Sequence, residues 1–320
     1  MNAVKIGIAG IGSMGLNHCR VLSQIKTAQF IGVHDVDLDK MKMEAQRFGV
    51  QGFFKYEDLL DKVDAVIVAV PTSFHYELVK QAIQHHKHVF VEKPLVSSLE
   101  QAGELRDLLP LEKGLILQVG HIERFNPSVE QLYHVIDRSK LVFLETRRVG
   151  SVNRNLDVDV VLDLMIHDID LVLDIVNSPI QRISVVSNSI HHREQPDIAS
   201  VLLTFQNGVI ANLTVSRISK DKNRSMIVTE VSRTIHLDFV RKELSINGEL
   251  IQGDSPKQYR VESTLEKVFV PVSEPLYEEL QHFIRCVQSG SRPKIGIDEA
   301  IQSLDAVMKI KQKIMENHID

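Results

Sequence analysis

The chain has 320 residues, of which 43% are hydrophobic and 25% charged, and its formal net charge is −5. That length and apolar content allow a large core and favour two domains over one, while the charge gives no basic footprint for nucleic acid or an anionic membrane. No apolar run approaches the length of a bilayer span and the first residues lack a basic-then-apolar signal pattern, so a cytoplasmic protein is expected.

The first element is the most informative. Residues 4–15 read VKIGIAGIGSMG, an apolar run leading into glycines at 10, 12 and 15, after which residues 16–25 suit a helix. Strand, tight turn and helix start form the G-x-G-x-x-G dinucleotide fingerprint. Gly10 permits the turn, Gly12 lets the backbone approach a pyrophosphate, and Gly15 lets the helix pack closely on the strand. Ile11, Ser13 and Met14 belong to the same phosphate loop. A second apolar run, residues 30–33, ends in Asp35, twenty residues after Gly15. A carboxylate there suits the ribose hydroxyls of NAD and repels the 2′-phosphate of NADP. Asp37 competes for that role, although the strand alternation puts Asp35 at the tip.

Helical and strand patterns then alternate: a helix over 39–48 closed by Gly49, a short segment at 52–54, a helix over 56–61, and a continuous apolar strand at 64–70 stopped by Pro71 and Thr72. A helix at 74–85, a strand at 88–93 ended by Pro94, a helix at 98–109 and a buried strand at 114–120 complete the run. Such alternation predicts a parallel, doubly wound α/β sheet. From His121 the texture changes. Helices are expected at 128–137 and 160–176, and two-residue alternation marks strands at 141–149, 183–190, 199–205, 209–218, 226–230 and 234–239. Gln206, Asn207 and Gly208 join two of them as a hairpin. Residues 253–266 read as a polar loop, and helices return at 274–288 and 298–315.

Ligands of open parallel sheets bind beyond the carboxyl ends of the strands. Three tips here carry suggestive residues: the glycine loop, Pro71-Thr72 with His75, and Glu92-Lys93-Pro94. In the second half, Asp163 and His167 stand four apart on one helix face, with Asp170 near it. Oxidising a secondary alcohol releases a hydroxyl proton that histidine is suited to take. Lys93 could stabilise oxyanion character, and Asp163 could accept a hydrogen bond from a neighbouring hydroxyl. A metal bound by Asp163, His167 and Asp170 is the rival reading. There is no H-E-x-x-H, Cys19 and Cys286 form no thiolate cluster, and hydride transfer needs no metal, so none is expected. The histidines at 85, 86 and 88 and at 191 and 192 read as solvated.

The glycine loop, the Glu-Lys-Pro strand tip and the Asp-x-x-x-His helix about seventy residues on resemble the Gfo/Idh/MocA oxidoreductases along essentially the whole chain. The resemblance implies an NAD-binding Rossmann domain over 1–120. It also implies a substrate-binding α+β domain over 121–320, whose C-terminal helices can pack back on the first domain, with a large open-faced, mostly antiparallel sheet through which members form homodimers or homotetramers. It makes Lys93, His167 and Asp163 the active-site residues, and places Gly10, Gly12, Gly15, Asp35, Pro71, Thr72, His75 and Glu92 along the cofactor. Residues 119–127, VGHIERFNP, and the run DVDVVLDLMIHDIDL look like the family's nucleotide-sugar branch. Those enzymes oxidise the 3-hydroxyl of a UDP-N-acetylglucosamine-type sugar for amino-sugar biosynthesis. This gives Arg124, Asn126 and Arg148 work against sugar or diphosphate oxygens. Alternatives are a dehydrogenase of a free polyol such as myo-inositol, and an NAD-sensing protein without turnover. The chain departs from the family at 157–160, where glycines are frequent, and at His86, which replaces a glycine.

Overall fold

The computed structural model describes residues 3–109, 114–151, 159–191, 195–252 and 260–317. The chain divides into two compact units, Met1–Ile122 with Glu274–Leu304, and Glu123–Ser273 with Asp305–Asp320. The first unit thus ends two residues beyond the expected boundary and takes back a later segment.

The first unit is built on β1 (Val4–Ala9), β2 (Ala28–His34), β3 (Gln51–Phe53), β4 (Ala65–Val68), β5 (His88–Glu92) and β6 (Leu117–Gly120) in the order β3-β2-β1-β4-β5-β6. All pairs are parallel. Between them run α1 (Ser13–Leu22), α2 (Leu38–Phe48), α3 (Tyr56–Leu60), α4 (His75–Gln84) and α5 (Leu99–Leu108). Gly49 closes α2 at φ 67° and Ser98 starts α5 by accepting from Gln101 N, both as expected, while Asp37 starts α2 by accepting from Lys40 N. The strand order reverses between β1 and β4, the switch point where such sheets take ligands. Ile6, Ile8, Ile67 and Phe90 form the core with Leu280, Phe283 and Ile284 of α8 (Pro275–Ser289). Phe90 and Phe283 meet edge to face at 5.7 Å, which explains why α8 belongs to this unit.

The second unit holds α6 (Pro127–Val135), α7 (Ile166–Val176), the later part of α9 (Ile297–Asn317) and eight strands. These are β7 (Leu141–Ser151), β8 (Ile180–Asn188), β9 (Ile198–Phe205), β10 (Ile210–Ser216), β11 (Ile218–Glu230), β12 (Arg233–Asp238), β13 (Glu243–Gln252) and β14 (Arg260–Val268). Their order is β14-β13-β12-β11-β7-β10-β9-β8, antiparallel except where β7 pairs with β10. Alternation puts Ala199, Val201, Leu203, Leu213 and Val215 on the buried face, under α7, which packs on β7 and β10. Each of these valines and leucines contributes about 1.5–3 kcal/mol on burial. The other face leaves Val186, Leu202 and Ile210 exposed.

Two expectations need correction. Residues 260–266 are strand, part of β14, which pairs with β13 from Leu244↔Val268 to Gln252↔Arg260. As the edge of the sheet β14 tolerates a largely polar sequence, with Leu265 exposed. Residues 253–259 lie outside the described residues, as do Asp157, Val158 and His192. The expected helix over 160–176 begins instead with a π-helical turn, Val161–Met165, closed by Ile166 N donating to Val161 O.

Candidate active site

In the first unit the three glycines differ in what demands them. Gly10 has φ 89° and a Cβ there would lie 2.6 Å from Ala69 O, while a Cβ on Gly15 would fall 1.9 Å from Gly10 O. At Gly12 nothing lies within 4 Å of that position. Gly10 and Gly15 are therefore required by the protein's own packing, and Gly12 leaves room that a ligand can use. No side chain caps the start of α1 and its first turn carries no acid, which suits phosphate oxygens at that helix end. Asp35 Oδ2 accepts from Ile11 N at 2.8 Å and its Oδ1 from Asp37 N at 2.9 Å. It ties the tip of β2 to the glycine loop, and its remaining lone pairs can accept hydroxyl donors. Asp37 is occupied as the α2 cap.

Pro71 ends β4 and Thr72 opens a short 3-10 helix, Thr72–Phe74. His75 is 1% exposed, its Nδ1 2.8 Å from Pro94 O and its Nε2 2.9 Å from Val70 O. It braces the tip of β4 against the peptide following Lys93. Burial holds the ring below the ordinary histidine pKa, against the pull of the two carbonyls.

Glu92 and Lys93 close β5, and a cis peptide bond joins Lys93 to Pro94. His18 of α1, fully buried and edge-on to Phe90 at 5.3 Å, donates through Nε2 to Glu92 Oε1 at 2.7 Å. Burial pushes the Glu92 carboxyl up, but His18, then Lys93 and His75, bring it below its ordinary value. Sequence reasoning passed over His18, whose one signal is its place three residues after Gly15 on the helix face turned to the sheet.

In the second unit Asp159 Oδ1 accepts from Val161 N and Leu162 N, both at 3.0 Å, and its Oδ2 lies 2.7 Å from Lys311 Nζ. This cap starts the π-helical turn that carries Asp163 directly into α7, where His167 is the second residue. Both side chains are half-buried. Such turns recur at functional sites.

Arg124, Arg148 and Asn126 are buried at 4%, 2% and 3% exposure and face protein groups. Arg124 binds Asp170 through Nε at 2.6 Å and Nη2 at 2.9 Å, and Asp174 through Nη1 at 2.7 Å. Arg148 binds Asp168 through Nε and Nη2 and Glu123 through Nη1 at 2.8 Å, with its guanidinium 5.2 Å from the Phe239 ring centre. Asn126 Oδ1 caps α6 by accepting from Ser128 N, and its Nδ2 donates to Glu123 Oε2. Two arginines thus grip α7 by three of its carboxylates. The guanidinium groups expected against sugar or phosphate oxygens point at Asp168, Glu123, Asp170 and Asp174 because burying an arginine requires paired charge.

His88, expected to be solvated, is half-buried and its Nδ1 accepts from Ile116 N at 3.0 Å. His86 adopts φ 56°, the left-handed conformation that glycine takes more readily. Among the described residues no three His, Cys, Asp or Glu side chains gather as a metal site, and no helix is long and apolar enough to cross a membrane.

Comparison with known proteins adds to this geometry. The family described as "Oxidoreductase family, NAD-binding Rossmann fold" matches residues 4–121, and the "GFO/IDH/MocA C-terminal domain" matches residues 142–236. The chain is 31% identical over 247 residues to the UDP-N-acetylglucosamine 3-dehydrogenase of Acidithiobacillus ferrooxidans, covering 76% of each chain. It is 26% identical to the scyllo-inositol 2-dehydrogenase (NAD(+)) of Bacillus subtilis, over 94% of this chain and 91% of that one. A solved structure of the Acidithiobacillus ferrooxidans enzyme superposes with a TM-score of 0.89 at 26% identity, covering 98% of both chains.

Proposed function

Because the chain belongs to the Gfo/Idh/MocA oxidoreductase family, we propose that it is an NAD-dependent dehydrogenase of a nucleotide sugar, acting on the 3-hydroxyl of a UDP-N-acetylglucosamine-type substrate. The observation that carries this reading is the Asp163–His167 pair, left half-exposed on a helix whose neighbouring carboxylates are held by buried arginines. Similarity to a UDP-N-acetylglucosamine 3-dehydrogenase supports the substrate class.

The residues fit a dinucleotide. The space at Gly12 and the start of α1 would take its phosphates, and Asp35 its ribose hydroxyls, which favours NAD over NADP. When bound, the cofactor supplies the hydride acceptor. His167 takes the proton of the reacting hydroxyl. Lys93 stabilises negative charge developing on that oxygen, and Asp163 accepts a hydrogen bond from a neighbouring hydroxyl. Arg124 and Arg148 are positioning residues: they fix the rotation of α7, and so the direction of His167, without touching substrate.

The similarity to a scyllo-inositol dehydrogenase favours a second reading, the same chemistry on a free polyol. Spectrophotometric NADH formation with purified protein separates the two, comparing UDP-N-acetylglucosamine, its uronic acid, myo-inositol and glucose. Turnover of a UDP-sugar alone supports the proposal. Preference for myo-inositol replaces it with the polyol reading, and NAD binding with no turnover of any of the four leaves the sensing protein.

A further inference from the structure

We infer that Arg224 is the cation that receives the phosphate oxygens of the substrate, a specificity residue for the anionic part of a nucleotide sugar. The inference rests on the nucleotide-sugar reading and deepens it.

Cross-strand pairing places the side chain. β11 runs beside β7 with Arg224↔Arg148, Met226↔Thr146 and Val228↔Leu144 in register. Met226, Val228, Leu144, Thr146 and Arg148 are all buried, so Arg224 continues their row on the helix-covered face of the sheet. It is half-buried there. Among the described residues its guanidinium makes no hydrogen bond and no ion pair, whereas Arg124, Arg148 and Arg217 each bind a carboxylate.

The charges around Arg224 explain the difference. Glu123 and Asp168 attract it, but both already bind Arg148, which repels it. The remaining carboxylate it senses is Asp163, assigned above to a sugar hydroxyl. Burial and the like charge of Arg148 hold its pKa below the ordinary arginine value. With Glu123 and Asp168 bound to Arg148, this partly desolvated guanidinium has no hydrogen-bonded carboxylate of its own among the described residues and gains by pairing with an anion that reaches its N–H groups. A planar guanidinium presents paired N–H groups that match two phosphate oxygens. Hydroxyl recognition at Asp163 and anion recognition at Arg224, which senses that carboxylate, select a sugar that carries a phosphate over a neutral polyol.

The test is calorimetric binding of UDP to wild type, Arg224→Met and Arg224→Lys, with thermal melting as the control for folding and NAD affinity measured in parallel. We expect Arg224→Met to weaken UDP by on the order of 10- to 100-fold, Arg224→Lys to recover part of the loss, and NAD affinity and melting temperature to stay near wild type. Wild-type binding of UDP with equal affinity in Arg224→Met would overturn the assignment of Arg224 alone. A lowered melting temperature with unchanged UDP affinity would make Arg224 a counter-charge for the Glu123–Asp168 cluster and overturn it equally. Failure of the wild type to bind UDP at all would remove the nucleotide-sugar reading, and the inference with it.

Discussion

His18 Nε2 lies 2.7 Å from Glu92 Oε1, joining the helix that follows the glycine loop to the strand whose tip carries Lys93. His18 is fully buried, and no partner meets its Nδ1 among the described residues. Nε2 meets the carboxylate oxygen, which can only accept. Glu92 is then the charged partner, held below its ordinary pKa. Its contribution to stability is present above the unfolded carboxyl value, about 4.3, and is lost as pH falls through the lower folded value. His18→Ala should lower the unfolding free energy at neutral pH by about 1.5–3 kcal/mol and shift acid unfolding upward in pH. An unchanged urea midpoint and acid transition would show that the bond contributes nothing.

Much of this was legible in the residues themselves. Period and punctuation located five of the six parallel strands, because their largely apolar runs end in Gly, Pro or a charged residue, and left β3 as a short unassigned segment. The sheet of the second unit was legible where one face is buried, as in β9 and β10, and was not at β13, whose residues carry no clear alternation, or at β14, where the edge relaxes that requirement. Asp163 and His167 were singled out because α-helical periodicity pairs them, although Asp163 lies in the π-helical turn that precedes α7. The carboxylate contacts of Arg124 and Arg148 were not legible, because sequence does not reveal that Asp168, Asp170 and Glu123 fold against them. His18 and Arg224 escaped for the same reason: each owes its meaning to a residue distant in sequence, Glu92 and Arg148.

Three histidines of the first unit set a pH dependence. Burial holds His75, His88 and His282 below their ordinary pKa. His88 Nδ1 accepts from Ile116 N and His282 Nε2 from Lys294 N at 2.9 Å, so protonation breaks both bonds. Below about pH 6.5 the unfolded chain binds protons that the folded chain refuses, and stability falls with pH. The limit is about 1.4 kcal/mol per pH unit per histidine, and less for His88 and His282, which keep solvent contact. Urea unfolding between pH 8 and 5.5 should show this loss. The double variant His88→Asn, His282→Gln, which retains an acceptor at each place without a proton to gain, should flatten it, and an equal slope in the variant would refute the account.

Arg148 should matter more to the fold than to substrate affinity. Removing it leaves Asp168 and Glu123 buried without their shared cation, a loss of about 3–5 kcal/mol. Arg148→Lys should recover little, since one ammonium cannot reproduce the fork that spans two carboxylates. In whatever fraction folds, kcat should fall while KM changes little, because α7 loses its fixed rotation. A large rise in KM at unchanged stability would return Arg148 to substrate contact.

The exposed face of the second unit's sheet carries Val186, Leu202 and Ile210 at 70%, 43% and 38% exposure. Self-association through this face would remove these side chains from water. Sedimentation should give an oligomer for wild type and a smaller species for Leu202→Lys, with the first unit's NAD affinity retained. A wild-type monomer, or an oligomer indifferent to the lysine, rejects this face as the interface.

The catalytic assignment is tested by separating chemistry from binding. His167→Ala removes the proposed base and Lys93→Ala the charge that stabilises the oxygen, so each should cut turnover on the order of 10²- to 10⁴-fold. Neither belongs to the glycine loop or to Asp35, so NAD affinity by fluorescence titration should remain near wild type. The His167→Ala variant should also lose the acidic limb of the kcat profile, because that limb reports protonation of the base in the bound complex. Lys93→Ala should keep it, since histidine is still present to titrate. Equal turnover in both variants would remove the two residues from the reaction. Loss of activity in Lys93→Ala together with loss of NAD binding would instead make Lys93 a cofactor ligand alone.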